Sequence, residues 1–377
     1  MEIDLTDDQV LFHDTTVRFI EAELPVAATR RLHDDPAGYD RSWRRRGAGI
    51  GWFAMLVPDE FGGGSVSGSP LVDAAIAAEE MGRHVQPGPF IAMNVVAGAV
   101  AAHGAPARQT ELLPAIIAGE VVATWACADR CGNWDDGAGL RAERSGGDLI
   151  LRGSRGFVQD AASADWLLAV ATLEGNPVQV LVRASAPGVR IRPLAVLDLS
   201  RRLAVVEFDA VVASADAVLG GGAGAVEAAL LRAVVLTCAD TVGAIDALFT
   251  MTVAYAKDRV AFGRPIGSFQ ALKHVMADQA LFVETCKAGV AAAARAVDTG
   301  DEAASEVVSM VAAYVGDVAN DVAQECLQIH GGIGYTWEHD LHLYLRRVRS
   351  NASLYGEPTW HRERVCRFHR LGEAAPA

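Results

Sequence analysis

A chain of 377 residues, 51% hydrophobic and 21% charged, is long enough for two or three domains around a substantial buried core and is far from a disordered composition. Its formal net charge of −14 argues against general binding to nucleic acid or to anionic membrane, since both rest on basic surface, although a local basic pocket stays allowed. The start, Met1-Glu-Ile-Asp-Leu-Thr-Asp-Asp, has no basic region followed by an apolar one, so the expectation is a cytoplasmic protein with no membrane insertion and no transmembrane helix. The six cysteines are mostly scattered; Cys127 and Cys131 sit close together but lack the two-pair spacing of a zinc site, and free thiols with no bound metal are expected.

Along the chain, the Thr6/Asp7/Asp8 start followed by Val10, Leu11, Val17, Phe19 and Ile20 at helical spacing predicts an opening helix. Trp52 to Gly64 breaks that pattern with Pro58 and three consecutive glycines, a loop signal. Pro70 to Met81, Phe90 to His103 and Leu112 to Gly119 read as helices. The character then changes to short strand-like runs, at Val121–Ala126, Leu149–Leu151, Gly156–Val158, Trp166–Ala171, Val178–Val182 and Leu203–Phe208, separated by glycine and proline turns. After Gly220 the chain turns helical again over Val226–Lys257, Phe269–Asp298 and Asp301–Ile329. Helical, then strand-rich, then helical segregation predicts an α+β protein and argues against alternating βαβ units. The expected domains are a helical one over 1–118, an antiparallel β barrel or sandwich over 119–219, and a four-helix bundle over 220–377.

One stretch carries the most information: Arg259-Val-Ala-Phe-Gly-Arg-Pro-Ile-Gly-Ser-Phe-Gln-Ala-Leu-Lys-His274 joins two long apolar runs. Pro265 lacks a backbone donor, and Gly263 and Gly267 permit geometry that other residues resist, so two helices joined by an ordered elbow are predicted. An elbow exposing Arg259, Arg264 and Gln270 beside Phe262 and Phe269 suits a flat, phosphorylated ligand. The run Gln328-Ile-His-Gly-Gly-Ile-Gly-Tyr-Thr-Trp337 ends a helix on paired glycines, whose backbone either caps the helix or approaches a ligand closely. Arg346, Arg347 and Arg349 either meet phosphates or are solvated. Gly220 to Ala225 has the spacing of a dinucleotide fingerprint, but no βαβ unit surrounds it, and an interdomain hinge followed by a helix start is the expectation.

Arg259-x-x-Phe262-Gly263 followed by Pro265-Ile266-Gly267-x-Phe269-Gln270-x-x-Lys273-His274-x-x-Ala277-Asp278 resembles the C-terminal signature of the acyl-CoA dehydrogenase family, and Gln328 to Tyr335 is similar to that family's second motif. Val57-Pro-Asp-Glu-Phe-Gly-Gly63, Leu113-Pro-x4-Gly119-Glu120 and the block order agree, so the resemblance covers nearly the whole chain. It implies an enzyme that holds FAD without a Rossmann fold and removes hydrogen from the α and β carbons of an acyl-CoA thioester. It also implies electron delivery to an electron-transfer flavoprotein. Arg259, Phe262 and Gln270 would reach the FAD of a neighbouring subunit, and Gln328, Gly331 and Gly332 would hold it from the other side. Phe157 and Gln159, with Val158 between them, would belong to the strand against the flavin. A homodimer, homotetramer or heterotetramer with a related subunit follows.

The chemistry requires one carboxylate in an apolar pocket to take the α-proton. Many family members place it in Tyr-Glu-Gly-Thr, whereas this chain reads Tyr355-Gly-Glu-Pro-Thr359. A second family location falls near Ala233, which cannot act as a base. Glu357 is therefore the first candidate and Asp240 the second. Ala126-Cys-Ala-Asp-Arg-Cys-Gly132 also replaces the family's Thr-Glu-Pro-Gly-type loop, a divergence resembling actinobacterial members that act on bulky steroid or polyketide-like CoA esters. Two alternatives share the fold: a non-catalytic subunit that completes a partner's FAD site, and a flavin monooxygenase or oxidase.

Overall fold

The computed structural model describes residues 5–32, 35, 38–134 and 138–371. Helix α1 (Asp7–Glu23) starts at Thr6, whose hydroxyl accepts from the Gln9 amide while the Gln9 side chain accepts from the Thr6 amide, a reciprocal cap. Helices α2 (Val26–Arg31), α3 (Arg41–Ala48), α4 (Pro70–Arg83), α5 (Phe90–His103) and α6 (Pro106–Ile117) complete the first block. Proline at the first helical position opens both α4 and α6, where its missing donor costs nothing. Helix α6 begins six residues before the expected Leu112, because its polar first turn carries no apolar periodicity.

The strand-rich block is one seven-stranded sheet: β1 (Ala123–Ala126), β2 (Leu140–Ser145), β3 (Asp148–Gln159), β4 (Trp166–Leu173), β5 (Asn176–Arg183), β6 (Val189–Pro193) and β7 (Leu203–Ser214), in the order β1-β4-β2-β3-β7-β6, with β5 also on β4. The expected antiparallel pattern holds for four of the pairings, but β1–β4 and β2–β4 are parallel, so the sheet is mixed. The β2–β3 hairpin lies within the connection from β1 to β4 and makes it long enough for a parallel crossover. Strands β2 and β6 escape the sequence pattern because charged residues interrupt their apolar positions, as in Leu-Arg-Ala-Glu-Arg-Ser. The two expected runs at 149–151 and 156–158 are one strand, β3, carried through a bulge between Arg155 and Val158.

Gly221, with φ of 80°, starts α7 (Gly222–Asp258). A two-stranded elbow, β8 (Val260–Ala261) and β9 (Arg264–Pro265), leads to α8 (Gln270–Asp298), followed by α9 (Ala304–His330), α10 (Leu341–Asn351) and α11 (Pro358–Phe368). Helix α7 is long and apolar enough to cross a membrane, yet 89% of its apolar window is buried among neighbouring helices, so it is the central core helix of the fold. Two glycines let α4 and α7 cross closely: a Cβ at Gly82 would stand 1.7 Å from the Asp240 carbonyl oxygen, and one at Gly243 would stand 1.8 Å from that of Glu79. That crossing fixes the backbone height of Asp240. All six cysteines are free thiols.

Candidate active site and cofactor elbow

Two regions collect the expected site residues. The first is the elbow between α7 and α8. Phe262 and Gly263 form the two-residue loop between β8 and β9, with φ of 52° and 77°, the positive values that a tight hairpin of this twist demands. A phenylalanine in the left-handed region is strained, and this one is 95% exposed at the tip. The backbone is fixed by an Ile266 amide donating to the Arg259 carbonyl at 2.8 Å, and the Arg264 guanidinium lies 4.0 Å from the Phe269 ring centre. Arg259 and Gln270 are exposed, and Arg259 has no ion pair to a described residue.

The second motif lies at the same end of the bundle. The Tyr255 ring, one turn before Arg259, stacks on His330 with centres 4.5 Å apart, and Gly331 ends α9 with φ of 62°. Gln328 and Gly332 are exposed, and no atom lies within 4 Å of where a Cβ would stand on Gly331 or Gly332. Exposed aromatic rings, an unpaired guanidinium and bare backbone are the donor set that a flat dinucleotide with a pyrophosphate needs. These residues fit FAD.

The second region is a cavity of about 570 Å³ between the sheet and the α10–α11 turn. Trp134, Phe157 and Trp360 supply its aromatic surface, and Leu194, Leu197, Leu203 and Leu354 its aliphatic surface. Phe157 reaches it because the bulge in β3 gives that residue φ of 52°. Glu357 lines the cavity at the N-terminus of α11; its side chain is exposed, makes no cap bond and has no ion pair to a described residue. Gln159 lies behind the wall: its amide donates to the Tyr355 phenol at 3.0 Å and its carbonyl accepts from Arg201 at 3.3 Å. The register shift in β3 between Arg155 and Val158 interrupts simple strand alternation beside Phe157, and in the folded chain Gln159 supports Tyr355. Tyr355, buried between Trp125 and Trp134, holds the turn in place.

Asp240 occupies neither region. Arg347 donates to both of its oxygens, at 3.2 and 2.8 Å, Arg201 donates at 3.1 Å and Asn351 at 2.7 Å. This carboxyl group is 2% exposed, and its oxygens are engaged within the fold by two guanidiniums and an amide. Arg347 also donates to Asp198, Ser200 and the Gln86 carbonyl. This buried knot joins the first helical block, the sheet and the bundle. It also corrects the reading of Arg347 as phosphate-facing or solvated. Burial pushes the Asp198 carboxyl up, but Arg347 and Arg201 more than offset that and hold it below the usual carboxylate range. Beside the knot, burial pushes Asp160 up to about 7 despite Arg201, Arg202 and Arg347. Sequence reasoning missed Trp134, Trp360 and the pairing within the knot; Asp240 and Arg347 were singled out, but not as partners.

The mixed sheet between helical blocks, with an exposed elbow and an aromatic cavity beside the Glu357 carboxylate, makes an α+β fold without a nucleotide-binding βαβ unit. Residues 6–120 match the family described as "Acyl-CoA dehydrogenase, N-terminal domain" and residues 220–368 match "Acyl-CoA dehydrogenase, C-terminal domain". The chain is 31% identical over 357 residues to acyl-CoA dehydrogenase IpdE2 of Mycolicibacterium smegmatis, covering 94% of this chain and 96% of that protein. It superposes on the Tcur3481–Tcur3483 steroid acyl-CoA dehydrogenase variant with a TM-score of 0.89 at 25% identity, covering 98% of this chain and 99% of that one. The ChsE4–ChsE5 complex of Mycobacterium tuberculosis shares the fold, with a TM-score of 0.89 at 24% identity over 99% of this chain and 100% of that one. The chain belongs to the acyl-CoA dehydrogenase family, and its cofactor is FAD.

Proposed function

We propose that the chain is a subunit of an oligomeric acyl-CoA dehydrogenase that desaturates a bulky acyl-CoA thioester between its α and β carbons. The observation carrying this reading is the division of the site: none of Arg259, Phe262, Gln270 or Gln328 lines the cavity that contains Glu357. Pro358, next to Glu357, packs on Gly316 in the middle of α9, and Gly331 lies fifteen residues further along, about 22 Å at the rise of a helix. Elbow and cavity thus serve one cofactor across a subunit boundary, as a homo-oligomer or with a related chain. In this reading the elbow residues with Gln328, Gly331 and Gly332 would hold the dinucleotide, with Phe157 as a further contact, and bound FAD would supply the acceptor for the β-hydrogen as hydride. Glu357 takes the α-proton, and the aromatic and leucine walls exclude water from its carboxylate once the acyl group fills the cavity. The similarity to a steroid acyl-CoA dehydrogenase and the wide apolar cavity favour a ring-bearing acyl group. An electron-transfer flavoprotein is the proposed acceptor.

A second reading has its own observation. Gly356 stands where the family's glutamate stands after the tyrosine; it has φ of 112°, and a Cβ there would meet the Trp360 ring at 2.4 Å. With that position closed, the chain would complete a partner's flavin site without supplying the base. Turnover of the assembled flavoprotein separates the two. Glu357→Gln lowering it by about 10²-fold or more, with FAD content kept, supports the catalytic reading; unchanged turnover assigns the base to the partner. Colourless protein that takes up no FAD, alone or co-expressed with related chains, sinks both.

A further inference from the structure

Glu357 stands at the start of α11, and the turn that delivers it has unusual backbone: Tyr355 has φ of 61°, a left-handed value that a tyrosine rarely adopts. Backbone of that kind persists only where its surroundings hold it. His361 holds this turn at two points. Its amide donates to the Glu357 carbonyl at 3.1 Å, and its ring bonds to the Tyr355 backbone carbonyl. The ring nitrogen used is Nε2, because Nδ1 is buried with no hydrogen-bond partner among the described residues. Nε2 is also the ring atom beside Gly356, 2.9 Å from where a Cβ there would stand. Burial, with Arg364 nearby, pushes His361 down to about 4, so the neutral ring carries one proton. A carbonyl only accepts, which puts that proton on Nε2 and leaves Nδ1 a bare acceptor.

A residue that merely filled this space would gain nothing from a buried nitrogen without a partner, which phenylalanine or leucine would avoid. His361 is 3% exposed, and behind the turn it lines a chamber of about 20 Å³ together with Thr237, whose buried Oγ1 also lacks a partner among the described residues. One water molecule fits a space of that size and would serve both atoms. Leu354 and Gly356 line the chamber and the cavity alike, so the turn is one wall with His361 behind it and Glu357 in front. We propose that His361 is a positioning residue for α-proton removal: its Nε2–H and its amide fix the turn so that the Glu357 carboxylate enters the cavity in one direction. The inference rests on the reading of Glu357 as the base. A carboxylate displaced by about 1 Å loses about 10²-fold in rate. The apolar walls that take up the acyl group do not move with it, so binding is spared.

The test is steady-state turnover of the assembled flavoprotein, per bound FAD, with whichever of butanoyl-, octanoyl- and cholanoyl-CoA the parent turns over fastest. His361→Gln brings a carboxamide N–H close to the place of Nε2 and is expected to keep kcat within about threefold of the parent. His361→Asn puts its amide near the place of Nδ1, away from Tyr355, and is expected to lower kcat by about tenfold or more with KM within about twofold. A merely structural role would lower the stability of both variants and would not separate kcat from KM. Equal kcat in the Gln and Asn variants, or a loss carried by KM, overturns the proposal; Glu357→Gln that still lowers turnover then leaves the base reading standing. Turnover unchanged by Glu357→Gln overturns both. Nitrogen-15 shifts of histidine-labelled parent protein decide the tautomer without any variant: a proton on Nδ1 of His361 overturns the proposal, and one on Nε2 supports it.

Discussion

The elbow and the buried knot both carry arginines on or beside α7, yet they differ in what those arginines lack. At the knot, Arg347 and Arg201 are buried and bonded to carboxylates, an amide and a backbone carbonyl. At the elbow, Arg259 and Phe262 are exposed, and Arg259 meets no described carboxylate. A buried charge must be fully paired to exist, so a satisfied knot is structural. An exposed, strained and unpaired group pays for no fold of its own, and its value lies in what it meets outside the chain. Of the eight non-glycine residues with positive φ among those described, Phe157 lines the cavity and Phe262 stands at the tip of the elbow.

The largest expected effect that would break this contrast is at the knot. Arg347→Ala leaves Asp198 and Asp240 buried with less than their compensation and should cost about 3–5 kcal/mol in urea or thermal unfolding. A loss below about 1 kcal/mol would mean that the three blocks are held by packing alone.

Next is Asp160. Its carboxyl titrates at about 7 in the fold against an ordinary 3.8, so the protein is favoured with Asp160 protonated. That stability is complete below about pH 4 and declines as pH rises through about 7. Asp160→Asn, which keeps a residue tolerant of φ near 50°, should match the parent at pH 4 and exceed it by roughly 2–4 kcal/mol at pH 8. Parallel pH–stability curves for the two proteins would show that Asp160 does not titrate in this window.

The smallest effect on stability is the sharpest for the comparison. Arg259→Ala should shift unfolding of the FAD-free chain by no more than about 0.5 kcal/mol, because its exposed side chain has no ion pair to a described residue. Flavin absorbance of the purified assembly should nevertheless fall. Equal loss of chain stability would place Arg259 in the fold rather than in the cofactor clamp.

Much of this was legible in the sequence because its signals are local. The helical spacing of α4, α5 and α7 to α9, the elbow at Gly263, Pro265 and Gly267, and the two motifs with their order each lie within a short window, and they sufficed to indicate the family, the cofactor and the helix–sheet–helix order. Glu357 was also visible, as the one carboxylate in a displaced family motif. The fate of Asp240 was not. Its partners Arg201, Arg347 and Asn351 lie 39, 107 and 111 residues away, and no periodicity records such pairings. The bonds of Gln159 to Tyr355 and Arg201, 196 and 42 residues away, are equally absent from strand alternation. The parallel pairings of β1 and β2 with β4 likewise depend on a crossover that no strand announces. Local pattern determined what this chain is made of and what it binds; only long-range packing decided which charged groups are already spoken for and which remain free to act.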